Sequence, residues 1–157
     1  MGTVWPMSER VVSETRQLAA PPEVVFAILA DPRQHPRIDG SGTLKGTITG
    51  PERLSRGAEF GMDMRFWLGG VPYRIRNRVV EFEEGRLIAW RHFAGHRWRY
   101  RLEPVDGGTR VTESFDYSRF SPARARIVEL LGYPARNRAG IVATLDRLDA
   151  ATRQDSD

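Results

Sequence analysis

Cysteine is absent from this chain, and lysine nearly so, with Lys45 the single example. Without a thiol there is no disulfide, no thiolate nucleophile and no cysteine-built metal site, and a reducing, cytoplasmic address is the default expectation. Long apolar runs are missing too. No stretch approaches the ~20 residues needed to cross a bilayer, so membrane insertion is not expected. The opening MGTVWPMSER has neither the basic nor the apolar region of a signal peptide. A phosphate loop of the form GxxxxGK[ST], a GxSxG nucleophile elbow and an HExxH helix are all lacking. The three histidines, His35, His92 and His96, have no metal-ligand spacing. No metal and no cofactor is implied.

What is present describes one domain of 157 residues, large enough to bury its own core. The net charge of +4 comes from an almost all-arginine basic set set against 20 acids. The arginines alternate along candidate strands and do not gather in a tail or on a helix, which is the pattern of a solvated surface. Nucleic acid is therefore not an expected partner.

The clearest stretch is RWRYRLEPVDGGTRVTESFDY, residues 97–117. Trp98, Tyr100 and Leu102 alternate with Arg97, Arg99 and Arg101, and Asp106-Gly107-Gly108 supplies turn chemistry. Val111, Phe115 and Tyr117 then alternate with Arg110, Thr112, Ser114 and Asp116. Such period-two alternation predicts a hairpin with one covered and one wet face. Glu113 breaks the pattern, standing on the apolar side between Val111 and Phe115. A covered face carrying large aromatics and one acid reads as the wall of a ligand cavity.

Residues 1–8 read as a tail, with Trp5 docking back, and residues 10–18 as a first strand of imperfect alternation. A helix opens at Pro21-Pro22-Glu23, where proline is tolerated and an acid suits the dipole. Its stripe is Val25, Ile28 and Leu29, with Val24 beside it, and Asp31-Pro32 ends it. Residues 33–39 hold a turn or two at most, because Pro36 disfavours a helical His35. His35 itself reads as a surface or capping residue.

Residues 44–50 form the second strand and residues 58–67 the third. The third places Phe60, Met62, Met64 and Phe66 on one face and Glu59, Gly61, Asp63, Arg65 and Trp67 on the other. Methionine adapts to irregular space, so this face suits either a cavity wall or plain core. In residues 71–79, Val71, Tyr73, Ile75, Asn77 and Val79 oppose Arg74, Arg76 and Arg78. The next strand, 87–93, turns Ile88, Trp90 and His92 inward and Arg91 outward. Arg74, Arg76, Arg78, Arg91, Arg97, Arg99 and Arg101 then share one outer face, with Glu59, Asp63 and Glu103 as expected partners.

After Tyr117, residues 122–133 suit a helix rich in Arg and Ala that Gly132 and Pro134 interrupt. Residues 136–152 form the longest helix, with Ile141, Leu145 and Leu148 at i, i+4 and i+7. Residues 153–157 read as a fraying tail. The boundaries are thus a tail at 1–8, a single domain at 9–152 and a tail at 153–157. Consecutive hairpins imply an antiparallel sheet, and only the C-terminal helix is long enough to cover its apolar face. The expected class is α+β: a seven-stranded curved antiparallel sheet around a long C-terminal helix, with two short helices between strands 1 and 2.

The chain resembles the START-related polyketide cyclase/dehydrase and lipid-transport superfamily (SRPBCC), the helix-grip fold. The residues that carry the resemblance are AAPPEVVFAILADPRQHPRID, HRWRYRLEPVDGGTRVTESFDY and GIVATLDRLDA, and it covers about residues 9–150. These are framework motifs. They imply a cavity between sheet and helix and a small hydrophobic ligand such as a lipid or polyketide, without choosing an activity.

Three classes follow. The first is a carrier or sensor of such a ligand. The second is a cyclase or dehydratase in which Glu113 acts as base and Tyr73 or Tyr100 polarises a carbonyl. The third is an interaction protein using its arginine face; a homodimer is also left open. Against the second stands a structural role, with Glu113 merely paired with an arginine or Asn77. The expected ligand-binding residues are Phe60, Met62, Met64, Phe66, Tyr73, Ile75, Asn77, Trp90, His92, Trp98, Tyr100, Glu113, Phe115, Ile141 and Leu145.

Overall fold

In the computed structural model, residues 10–66, 68–92 and 94–155 are described. The expected N-terminal tail with Trp5, the outward Trp67, the strand end at Phe93 and the last two residues lie outside them. The order is β1 (Val11–Leu18), α1 (Pro22–Leu29), a 3-10 turn (Pro32–Gln34), α2 (His35–Ile38), β2 (Leu44–Thr49), β3 (Glu59–Arg65), β4 (Pro72–Glu83), β5 (Leu87–Arg91), β6 (Arg97–Val105), β7 (Gly108–Asp116), α3 (Pro122–Leu130) and α4 (Tyr133–Asp155). The seven strands form one antiparallel, curved sheet in the order β1-β7-β6-β5-β4-β3-β2. Helix α4 lies over β1 and β7 and is flanked by α1, α2 and α3.

The covered face follows from the pattern of the strands. Val12, Leu18, Phe60, Ile75, Val79, Ile88, Tyr100, Leu102, Val111 and Phe115 are buried on the sheet side, and Ile141, Leu145 and Leu148 meet them from α4. β1 alternates imperfectly because its inner face carries charge as well as apolar groups. Glu14 stands opposite Glu113 in the register and accepts from Arg138 of α4 at 2.7 Å. Arg16 pairs with Asp146 and, at 3.1 Å, with the buried Asp149. These pairs fasten the edge strand to the helix.

Helix α4 is longer than its apolar stripe. It starts at Tyr133, because a proline at the second position, Pro134, costs no intrahelical hydrogen bond. At the other end it runs through Arg153, Gln154 and Asp155, where fraying was expected. Arg37 of α2 holds that last turn, donating to Ala151 O, Gln154 Oε1 and Asp155 Oδ1 at 3.1, 2.9 and 2.9 Å.

The outer face carries the arginines, with one adjustment. A bulge between Val79 and Glu81 puts Val79 opposite Trp90 and Glu81 opposite Ala89. One residue is added to β4, the parity flips, and Glu81 turns outward although alternation from Val79 would send it in. There it accepts from Arg97 at 2.9 Å and Arg99 at 2.7 Å, and Arg99 also donates to Asp116 at 3.1 Å. Burial works against an ionised Glu81, but the hydrogen bonds from Arg99 and Arg97 outweigh it and hold its pKa below the ordinary value. Arg97 and Arg99 are consequently half-buried, while Arg74, Arg76, Arg78, Arg91 and Arg101 are exposed. Asp63 and Glu59 pair with Arg74 and Arg76 as expected, but Glu103 pairs with Arg110 of the neighbouring strand. Glu81→Ala is expected to lower stability by about 1 kcal/mol, a loss that shrinks in ~1 M salt. Denaturation at low and high salt checks this.

Candidate functional site

Between the sheet and α4 lies a cavity of about 590 Å³. Its floor is the inner face of β3 to β7, and Ile141 and Thr144 of α4 form part of its roof. The loop after α2, from Asp39 to Thr43, closes one side.

That loop reaches α4 because residue 40 is glycine. The Gly40 N–H donates to Thr144 Oγ1 at 2.9 Å, and a Cβ at this position would collide with Thr144 N and come within 2.6 Å of the Ala143 carbonyl carbon. Both neighbours are helix backbone and cannot yield. Arg147 donates to the Asp39 carbonyl just beside it. Gly40→Ala is therefore expected to cost roughly 1–3 kcal/mol and to push the loop off α4, opening the cavity wall. A denaturation midpoint and a probe-binding titration together check both effects.

Glu113 is inside. Its side chain is buried, and its Oε1 accepts from the Tyr100 hydroxyl at 2.8 Å across the β6–β7 pair. The partner is thus neither an arginine nor Asn77. The other oxygen, Oε2, is buried with no hydrogen-bond partner among the described residues. Burial raises the Glu113 pKa to about 8, against the lowering effect of the Tyr100 bond, and the nearby Asp39 charge adds to the rise. Tyr100 is pushed up as well, first by burial and then by Glu113. At pH 7 the pair is therefore a neutral carboxylic acid bonded to a neutral phenol. Such a group can donate a proton, and it lies close enough to neutrality to act as a base in its ionised fraction.

The remaining sequence-derived residues divide into three groups. Met62, Met64, Ile75, Asn77, Trp90, His92, Trp98, Tyr100, Glu113 and Ile141 line the cavity. Phe66 and Tyr73 line it at its exposed rim, 39% and 40% accessible. Tyr73 does not join the Glu113–Tyr100 pair. Phe60, Phe115 and Leu145 are buried but stand behind the lining. Phe60 packs edge-on to Trp90 at 5.5 Å, Phe115 lies 5.0 Å from Trp98, and Leu145 belongs to the packed stripe of α4.

His35 is the principal correction. It is 4% accessible, adopts helical φ and ψ despite Pro36, and stacks on Trp90 with ring centroids 4.7 Å apart. Its Nε2 lies 2.9 Å from Leu29 O. Since a carbonyl only accepts, Nε2 carries the hydrogen and Nδ1 keeps its lone pair. Burial lowers the His35 pKa, so the ring is neutral. A sequence signal existed: Ile38 stands three positions on, and i, i+3 residues share a helix face. His96, also outside the expected set, packs at 4.3 Å against His92, and burial, then His92 and Arg124, lower its pKa to about 3. From α4 the lining adds Tyr133, Arg136, Asn137, Ala139, Gly140 and Thr144, small and polar positions beside the apolar stripe. No group of three or more His, Cys, Asp or Glu among the described residues is placed to hold a metal ion.

Sheet, helix and the cavity between them together define a helix-grip fold. The chain belongs to the family described as polyketide cyclase / dehydrase and lipid transport, whose model matches residues 9–152. It is 42% identical over 140 residues to "Uncharacterized protein Rv0088" of Mycobacterium tuberculosis, covering 87% of this chain and 62% of that protein. The chain thus spans less than two thirds of that relative's length. Among solved structures it is similar to protein Ms6760 of Mycobacterium smegmatis, with a TM-score of 0.68 at 20% identity over 99% of this chain and 98% of that one. A protein from Arthrobacter aurescens gives 0.70 at 18% identity over 96% and 90%. At these identities the likeness is one of fold.

Proposed function

We propose that this protein binds a small hydrophobic molecule in the cavity between the sheet and α4, as a carrier or sensor. The observation that carries the reading is the cavity itself: about 590 Å³, lined by Met62, Met64, Ile75, Trp90, Trp98 and Ile141, within the range of small-molecule sites. The third class has less support. Four of the seven outer-face arginines, Arg74, Arg76, Arg97 and Arg99, already hold acids. No helix among the described residues is long and apolar enough to cross a membrane. Native mass spectrometry of freshly purified protein tests the proposal. A co-purifying mass that is released on unfolding is expected. Failure to retain any apolar probe, with the protein folded, would count against it.

A second reading, cyclase or dehydratase, is favoured by one specific observation: Glu113 is bonded to a tyrosine and to no cation, and its Oε2 is buried with no hydrogen bond among the described residues. With a pKa of about 8, roughly a tenth of Glu113 is ionised at pH 7. That fraction can take a proton from the carbon beside a ketone, with the Tyr100 hydroxyl turning from Glu113 Oε1 to the developing enolate oxygen as the carboxylate is neutralised. The enolate carbon then attacks a second carbonyl of the same chain, and the alkoxide takes the proton back from Glu113. Glu113 next removes the remaining hydrogen of the attacking carbon, a C=C bond forms, and the departing hydroxide takes that proton and leaves as water. Under this reading Glu113→Gln keeps polyketone binding and abolishes turnover. A Gln variant that turns over normally would remove it.

A further inference from the structure

Three buried polar groups around one aromatic floor lack hydrogen-bond partners among the described residues. His35 Nδ1, Asn77 Nδ2 and Glu113 Oε2 are all buried and without a hydrogen bond among the described residues, and all three residues line the cavity. They are linked through the same rings. His35 stacks on Trp90, Trp90 lies 5.6 Å from Tyr100, and Tyr100 holds Glu113. Asn77 stands opposite Phe60, whose ring meets both His35 and Trp90. A buried polar group left unmatched is costly, and a core that keeps three of them around one space is shaped for something that matches them.

Their chemistry specifies the match. The neutral His35 ring, with its hydrogen committed to Leu29 O, presents an acceptor at Nδ1. The protonated Glu113 carboxyl already accepts from Tyr100 at Oε1, which leaves its own hydroxyl at Oε2 as a donor. The Asn77 amide supplies a second donor. Charge matters equally. Of the ionisable groups lining the cavity, Asp39 and Glu113 are acids, His35, His92 and His96 have lowered pKa values, and Arg136 is exposed to solvent. An anionic head would meet the field of Asp39 with no buried cation beside it.

We infer that the ligand is uncharged and oxygen-bearing: a flat apolar frame whose carbonyl or hydroxyl oxygens accept from Asn77 and Glu113 and whose hydroxyl donates to His35 Nδ1, rather than a fatty acid or other carboxylate. This rests on the binding reading above and adds the polarity and charge that the cavity selects.

A naphthalene series at pH 6.5, measured by calorimetry or competition, tests it. Naphthalene probes the cavity alone, 2,7-dihydroxynaphthalene adds two neutral oxygens, and 2-naphthoate adds an anion. The diol is expected to bind about tenfold or more tighter than naphthalene, and the naphthoate about tenfold or more weaker than the diol. Asn77→Leu should fold at least as well as the natural protein, since it removes an unmatched donor, and should lose most of the diol's advantage while keeping naphthalene. Glu113→Gln, which preserves one acceptor and one donor, should keep that advantage within about threefold, and Glu113→Leu should not. If naphthalene binds but the diol is no tighter, or if the naphthoate equals it, the polarity inference is wrong and cavity binding stands. If no member of the series binds the folded protein, both are wrong.

Discussion

Glu113→Gln is expected to make the protein more stable at pH 8 and to remove a destabilisation that grows between pH 6.5 and 8. The natural carboxyl holds its proton in the folded state up to a pKa of about 8, because it is buried against Tyr100 and near Asp39. In the unfolded chain the same group ionises near its ordinary value of 4.5. Between those values the folded state binds more protons than the unfolded one, so stability falls as pH rises, and it levels above about 8. The cost is roughly 4 kcal/mol at pH 8, at 1.36 kcal/mol per pKa unit.

Buried histidines oppose this at lower pH. His35, His92 and His96 have folded pKa values below 6.5, so their contribution is present above 6.5 and is lost as pH falls below it. At pH 6.5 the unfolded histidines are still about half-protonated, so they add stability as pH rises toward about 7.5, and they do so alike in the natural protein and the Gln variant. Relative to the Gln variant, the natural protein should therefore lose about 2 kcal/mol between pH 6.5 and 8. Urea unfolding at pH 6.5, 7.2 and 8 measures it. Parallel curves for the two proteins would mean that Glu113 is ionised in the folded state.

Leu145→Ala should have an effect of similar size and a different origin. Leu145 is 2% accessible, between Ile141 and Leu148 on the face of α4 that meets the sheet, and it stands behind the cavity lining. Truncation there leaves a hole in packed core at a cost of roughly 2–5 kcal/mol. In a domain of this size each kcal/mol moves the melting temperature by roughly 2–4 °C. Val142, its exposed neighbour at 45% accessibility, provides the control, and Val142→Ala should change stability by less than about 0.5 kcal/mol. An unchanged midpoint for Leu145→Ala would mean that α4 is not the element the sheet closes on.

How far the structure could be read in advance depended on whether the signal was local. Alternation in β6 and β7 reports burial one residue at a time, so the inward Tyr100 and Glu113 and the outward arginines were legible from residues 97–117. The stripe at Ile141, Leu145 and Leu148 was legible for the same reason. Parity fails where one residue is inserted. Nothing in VVEFEE shows that Val79 and Glu81 are separated by a bulge, and so the Arg97–Glu81–Arg99 cluster was hidden. His35 was missed because its burial is decided by partners far along the chain, Trp90 on β5 and Phe60 on β3. The end of α4 was missed likewise, since Arg37, over a hundred residues away in sequence, fixes Asp155. The pairing of Glu113 was open among several groups, and only the β6–β7 register, Tyr100 opposite Glu113, selects the tyrosine.

The central claim is that a ligand enters between sheet and helix, and methyl NMR of the protein labelled at methionine and isoleucine tests it most directly. Met62, Met64, Ile75 and Ile141 line the cavity, whereas Ile127 of α3 is 56% accessible on the outer surface. On titration with 2,7-dihydroxynaphthalene, nuclear Overhauser contacts from the ring protons to Met62, Met64, Ile75 and Ile141 are predicted, with Ile127 unaffected. Contacts confined to Ile127, or saturable binding that leaves all four cavity methyls unchanged, would contradict it.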